Sequence, residues 1–213
     1  MTDNIVVHKR FKTFISVLYV ISYIFLGIFA FMTLCVVGGS IAIPFLPLDQ
    51  ISNWLQTAPI ETTYQGTGLS VQITDELIET VSITRSSLFL LAGSTLLVAL
   101  NFTAITYFVN RWLKNMKSAD IFTEQNSKMI EYVAYAFVTL AFIQGLVGLA
   151  FQHFIYESLV VTNAVEEIYS FIQGGGYDYS FSLVTLFSGV FIWIIAKVFK
   201  YGAFLQDEYD QTV

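Results

Sequence analysis

Charge is scarce in this sequence: Asp, Glu, Lys and Arg make up only 12% of its 213 residues, against about 25% in soluble domains. So few ionised side chains cannot coat a globule of this size. That excludes an ordinary soluble domain, a disordered chain and a nucleic-acid binder with a basic face. A single cysteine, Cys35, excludes an intrachain disulfide and argues against redox chemistry. The three prolines, Pro44, Pro47 and Pro59, are confined to one loop. There is no HExxH, GxSxG, P-loop or dinucleotide fingerprint to carry familiar chemistry. An internal repeat, frequent in transporters, is also missing.

What is present is apolar. Hydrophobic residues reach 55% and the mean hydropathy is +0.66. Residues 13–48, 86–110, 132–156 and 179–196 carry no Asp, Glu, Lys or Arg, and about 20 apolar residues suffice to cross a bilayer. In hydrocarbon every backbone amide must pair internally, so these runs predict helices, and they lack the alternation of barrel strands. The spacing predicts spans at about 13–38, 86–110, 130–156 and 179–200, the last lengthened by snorkelling of Lys197. The first run is too long for a secretory h-region of about 7–15 residues. A bulky Leu34 before Cys35 argues against lipoprotein processing, so the run reads as an uncleaved anchor.

Ten cations orient the spans. Lys9, Arg10, Lys12, Arg111, Lys114, Lys117, Lys128, Lys197 and Lys200 fall on one side, and Arg85 alone on the other. The positive-inside rule then predicts cytoplasmic termini, a cytoplasmic loop at about 111–129 and a cytoplasmic tail at 201–213. Trp112, Tyr132, Tyr135 and Trp193 would form the inner aromatic belt, with Trp54, Tyr156, Tyr177 and Tyr179 outside. The fold class expected is an all-α membrane protein, one domain built as a four-transmembrane-helix up-down bundle, with a small extracytoplasmic cap.

Outer loops at about 39–85 and 157–178 supply that cap. Asp49 is placed to cap a short helix bearing Ile51, Trp54 and Leu55 on one face. Residues 62–73, with Gly66 and Gly68 at the turn, read as a hairpin, and Thr74-Asp75-Glu76 as a helix start leading into the second span. Asn163-x-x-Glu166 reads as a capping box opening a helix that Gly174-Gly175-Gly176 would end. These loops hold nine acids against Arg85, as expected wherever Lys and Arg are excluded.

Ionisable groups inside a membrane are costly and usually functional, yet the mid-span polar residues here are neutral. Asn101 and Gln144 are candidate intramembrane contacts across a helix pair. His153 and Glu157 share a helical face, but two ligands do not make a zinc site, so no metal, cofactor or catalytic residue is expected. On the cytoplasmic side, Thr123 is placed to cap the third span, with Glu124 in its first turn and Ile121-Phe122 behind it. The acidic tail, with Asp207, Glu208 and Asp210, is expected to dock against the cations Arg111, Lys114 and Lys117, and together they form a candidate partner surface. Exposed pairs of this kind are worth about 0–1 kcal/mol each.

Ser118-Ala-Asp-Ile-Phe-Thr-Glu-Gln-Asn126 and Phe199-Lys-Tyr-Gly-Ala-Phe-Leu-Gln-Asp-Glu-Tyr-Asp-Gln-Thr-Val213 resemble the two signatures of a bacterial membrane family, domain of unknown function 2975. The likeness includes the Ile-Phe-Thr-Glu run, Gly202 soon after Lys200, and the Thr-Val pair. Ala119 stands where the family often has Gly, and both outer loops look larger than usual. The resemblance implies a four-span protein of the bacterial inner membrane with no assigned catalytic residues. Its members' frequent proximity to small helix-turn-helix regulators implies such a partner. The expectation is therefore a non-enzymatic, multi-pass regulatory protein coupling the lipid bilayer to a cytoplasmic partner. It could act as a homo-oligomer and without touching nucleic acid itself. A small transporter or immunity-type membrane protein is the alternative.

Overall fold

The structure, a computed structural model, describes residues 2–57, 62–66, 69–73, 78–117, 122–161, 179 and 181–212. Its elements are α1 (Thr2–Ala42), a 3-10 turn (Ile43–Phe45), α2 (Leu48–Thr57), β1 (Thr62–Gly66), β2 (Leu69–Ile73), β3 (Ile78–Val81), α3 (Arg85–Met116), α4 (Glu124–Ser158), β4 (Leu159–Val161) and α5 (Leu183–Thr212). Four segments are long and apolar enough to cross a membrane: Arg10–Phe45, Arg85–Met116, Glu124–Phe154 and Leu183–Tyr209. They make the chain a multi-pass membrane protein.

Local chemistry explains where the helices start and stop. Nothing before Pro44 interrupts α1, whose 41 residues rise about 60 Å, twice the bilayer's hydrocarbon thickness. Pro44 then falls in the 3-10 turn, because a proline ring cannot continue an α-helix. Pro47 marks the start of α2: its carbonyl accepts from the Gln50 and Ile51 N–H groups at 3.1 and 3.2 Å. Asp49, expected as a cap, instead lies inside the first turn, where its charge still favours the positive helix end. Thr84 caps α3, its hydroxyl accepting from Ser87 N–H at 3.3 Å. Thr123 caps α4 in the same way, accepting from Asn126 N–H at 3.1 Å, and Ser182 caps α5 through Thr185 N–H at 3.3 Å.

β1 and β2 pair antiparallel, Thr62 opposite Ile73 and Gly66 opposite Leu69. The sequence predicts a helix entry into the second span from Thr74 onwards. Ile78–Val81 is instead strand β3, paired antiparallel with β4 with a register irregularity between Ile78 and Thr80. Both strands are rich in β-branched residues, which suit a pleated surface better than a helix. Thr74, Asp75 and Glu76 lie outside the described residues, as do Asn163, Glu166 and Gly174 to Gly176.

Packing divides the chain into two units. The first combines Met1–Val36, Leu96–Gln144 and Phe181–Val213. Here α4 and α5 approach through small residues: a Cβ on Gly189 would meet Val138 Cγ2 at 2.8 Å and Ala134 O at 3.0 Å. Ala134, Ala141 and Ala196 are wholly buried, and Ser127 Oγ donates to the Ala196 carbonyl at 2.8 Å. Such close approach replaces the hydrophobic drive that helices lose in lipid. Within the same unit Ile105, Val133 and Leu140 form one core cluster, and Ile15, Leu113 and Met116 another. Thr33 and Thr103 hydroxyls meet at 3.0 Å, and Asn110 Nδ2 donates to Ser22 Oγ at 3.0 Å.

The second unit combines Val37–Thr95 with Gly145–Ser180. It holds α2 and both strand pairs, and Ile83 N–H donates to Ser52 Oγ at 3.2 Å. Gly145 leaves room for the ring of Tyr179, which an added Cβ would strike at 2.5 Å.

Candidate functional site

The described residues of the two family-like segments come together in the first unit, while Ser118 to Ile121 and Val213 lie outside the described residues. Phe122, just ahead of the Thr123 cap, lies against Gly202 of α5: an added Cβ there would sit 2.7 Å from Phe122 Cδ1. The same ring tilts against Phe199, centroids 5.3 Å apart, and Phe199 meets Trp112 of α3 edge-on at 6.3 Å. Glycine at 202 leaves the space that the Phe122 ring fills, and a side chain there would have to displace that ring. Three helices thus join at one aromatic elbow. From it α5 continues without a break to Thr212.

Beyond the elbow α5 is exposed. Asp207 and Glu208 are exposed, and Tyr201, Phe204, Leu205 and Tyr209 expose large apolar side chains between them. Asp210 lies on the helix, with its side chain outside the described residues. Each candidate cation at the end of α3 has its own setting. Arg111 donates to Tyr107 OH at 3.1 Å, Lys117 stands 4.4 Å over the Tyr19 ring, and Lys114 is exposed in the last turn.

Sequence reasoning missed an ion pair one turn before the elbow. Lys197 of α5 donates to Glu131 of α4 at 2.8 Å, while Tyr135 OH donates to the same carboxylate oxygen at 2.8 Å. The Lys197 ammonium also stands 4.9 Å over the Trp193 ring. The available signal was positional: Lys197 interrupts the last apolar run and Glu131 opens the third. Charges so placed within apolar helices tend to be paired.

The expected Asn101–Gln144 contact does not form. Gln144 Oε1 accepts instead from Thr185 Oγ1 at 3.2 Å, and Asn101 Oδ1 is buried with no hydrogen-bond partner. Helix rotation decides such pairs, and it turns Gln144 towards α5. In the second unit His153 and Glu157 meet at 3.3 Å, and Thr84 Oγ1 donates to Glu157 Oε2 at 2.9 Å. The carboxylate sits between the hydroxyl and the imidazole, the wrong order for histidine to take a proton from the hydroxyl. Among the described residues, no three His, Cys, Asp or Glu side chains gather as a metal site would need.

No curated protein and no solved structure matches the chain. The family model described as "Protein of unknown function (DUF2975)" matches residues 71–213. That match takes in α3, α4, α5 and the whole aromatic elbow, well over half of the sequence, and the chain belongs to this family.

Proposed function

We propose that the protein is a non-enzymatic regulator of the bacterial inner membrane that engages a cytoplasmic protein through the elbow and the exposed end of α5. The observation carrying this reading is the seating of Phe122 on Gly202, which joins the two segments most distinctive of the family. A firm joint is useful where α5 must present Asp207, Glu208 and its exposed aromatics in a fixed direction. The excess of cations on this side, Arg111, Lys114 and Lys117 among them, supports cytoplasmic termini by the positive-inside rule. A small helix-turn-helix regulator is the partner the family likeness favours.

Co-purification in mild detergent tests the reading. A specific soluble partner should be recovered with the intact chain and lost when residues 206–213 are deleted. Equal recovery from both forms, or none from either, would count against it. Reporter fusions at the two termini check the orientation, with cytoplasm-active reporters expected to work at both.

A further inference from the structure

A groove of about 300 Å³ runs between α1 and α3 in the first unit, lined by Leu18, Ile21, Ser22 and Phe25 on one side and Thr106, Val109, Trp112 and Leu113 on the other. Residues 18, 21, 22 and 25 share one face of α1 by helical spacing. The two hydroxyls in its lining are already bonded: Ser22 Oγ donates to Tyr19 O at 2.9 Å and Thr106 Oγ1 to Phe102 O at 2.8 Å, while the Trp112 indole N–H is buried without a partner. The surface presented is therefore hydrocarbon, and a polar solute would find few free partners. Both walls belong to membrane-spanning segments, so the available occupant is an acyl chain.

One end of the groove is charged. Lys117 lies four residues after Leu113, in the turn that follows α3, and its ammonium is held over Tyr19, which packs against the Ile15, Leu113 and Met116 cluster. Lys114 on α3 is exposed, as are Arg10 and Lys12, which precede Ile15 of that cluster on α1. Acids of α4 are paired with other cations, Glu124 with Lys128 at 2.9 Å and Glu131 with Lys197. A zwitterionic headgroup would bring its own ammonium among these cations, whereas an anionic one adds only negative charge.

We propose that this groove binds one acyl chain of an anionic phospholipid, with Lys117 holding the headgroup phosphate. The assignment goes beyond the partner reading and does not depend on it. It is tested on the full-length protein, delipidated in mild detergent and given phosphatidylglycerol, phosphatidylcholine of the same chains, or inorganic phosphate. Native mass spectrometry should retain phosphatidylglycerol in preference to phosphatidylcholine. Phosphatidylglycerol, but not phosphate, should raise the thermal midpoint.

Lys117→Glu should weaken phosphatidylglycerol retention on the order of tenfold and abolish the preference over phosphatidylcholine. Ile21→Trp, at an exposed position lining the groove, should block both lipids while leaving the fold intact by circular dichroism. Equal retention of the two lipids, protection by phosphate alone, or retention unchanged in both variants would overturn the assignment.

Discussion

Phe122 fills the space that a side chain at Gly202 would take, with its Cδ1 atom 2.7 Å and its Cγ atom 3.3 Å from where the Cβ would stand. Gly202→Ala should push the ring off Phe199 rather than move α5, because Phe122 is partly exposed and can turn. The expected cost is at the low end of overpacking, about 1 kcal/mol. Combining it with Phe122→Ala should cost less than the sum of the two single changes, since the clash is then gone. Thermal unfolding of the four proteins in one detergent provides the check, and strict additivity would show that the contact is not tight.

Gly189 makes a stricter case. The atoms facing its missing Cβ include the backbone Ala134 O and Val138 N, both at 3.0 Å, and backbone has no rotamer to change. Gly189→Ala should therefore separate α4 from α5 and cost about 1–3 kcal/mol, more than Gly202→Ala in the same assay. A smaller loss at 189 than at 202 would mean that the two helices slide freely.

Much of this architecture was legible in the sequence because it is local. Charge-free runs announced the spans, and the Thr123 cap followed from residues within one turn of it. The contacts that sequence reasoning missed join distant residues: β3 with β4, Lys197 with Glu131, and Gln144 with Thr185 in place of Asn101. Each depends on which way a helix is rotated or which strand passes nearby. Gly202 illustrates the division well. Its motif was recognisable, but what glycine does there emerged only when Phe122 was seen to fill the space.

Thr84 has two tasks. It caps α3 through Ser87 N–H and its hydroxyl donates to Glu157. Thr84→Ala should cost about 0.5–2 kcal/mol through the cap, and Thr84→Ser should restore most of it, because serine supplies the same oxygen. Glu157→Gln retains an acceptor for that hydroxyl but cannot ion-pair with His153, so it should leave the cap intact. Thermal midpoints of the three variants distinguish the tasks, and a failure of Thr84→Ser to rescue would remove the cap from the explanation.

The Lys197–Glu131 pair is only partly shielded, with 42% and 20% of the two side chains exposed. Solvent and headgroups screen such a pair, so its net contribution should be about 0.2–1 kcal/mol. Removing one partner is a different matter, since the remaining charge is then held against apolar helices. Lys197→Met leaves Glu131 without its cation, held by the neutral donors Tyr135 and Trp193, and should destabilise the α4–α5 contact more than the double change Lys197→Met with Glu131→Leu, which removes both charges. The reversed pair, Lys197→Glu with Glu131→Lys, should recover only part of the loss, because glutamate cannot replace the lysine ammonium over the Trp193 ring. Thermal unfolding in mild detergent ranks the variants. If the double apolar change were the least stable of the three, the pair would be a principal support of the helix contact rather than a compensated charge.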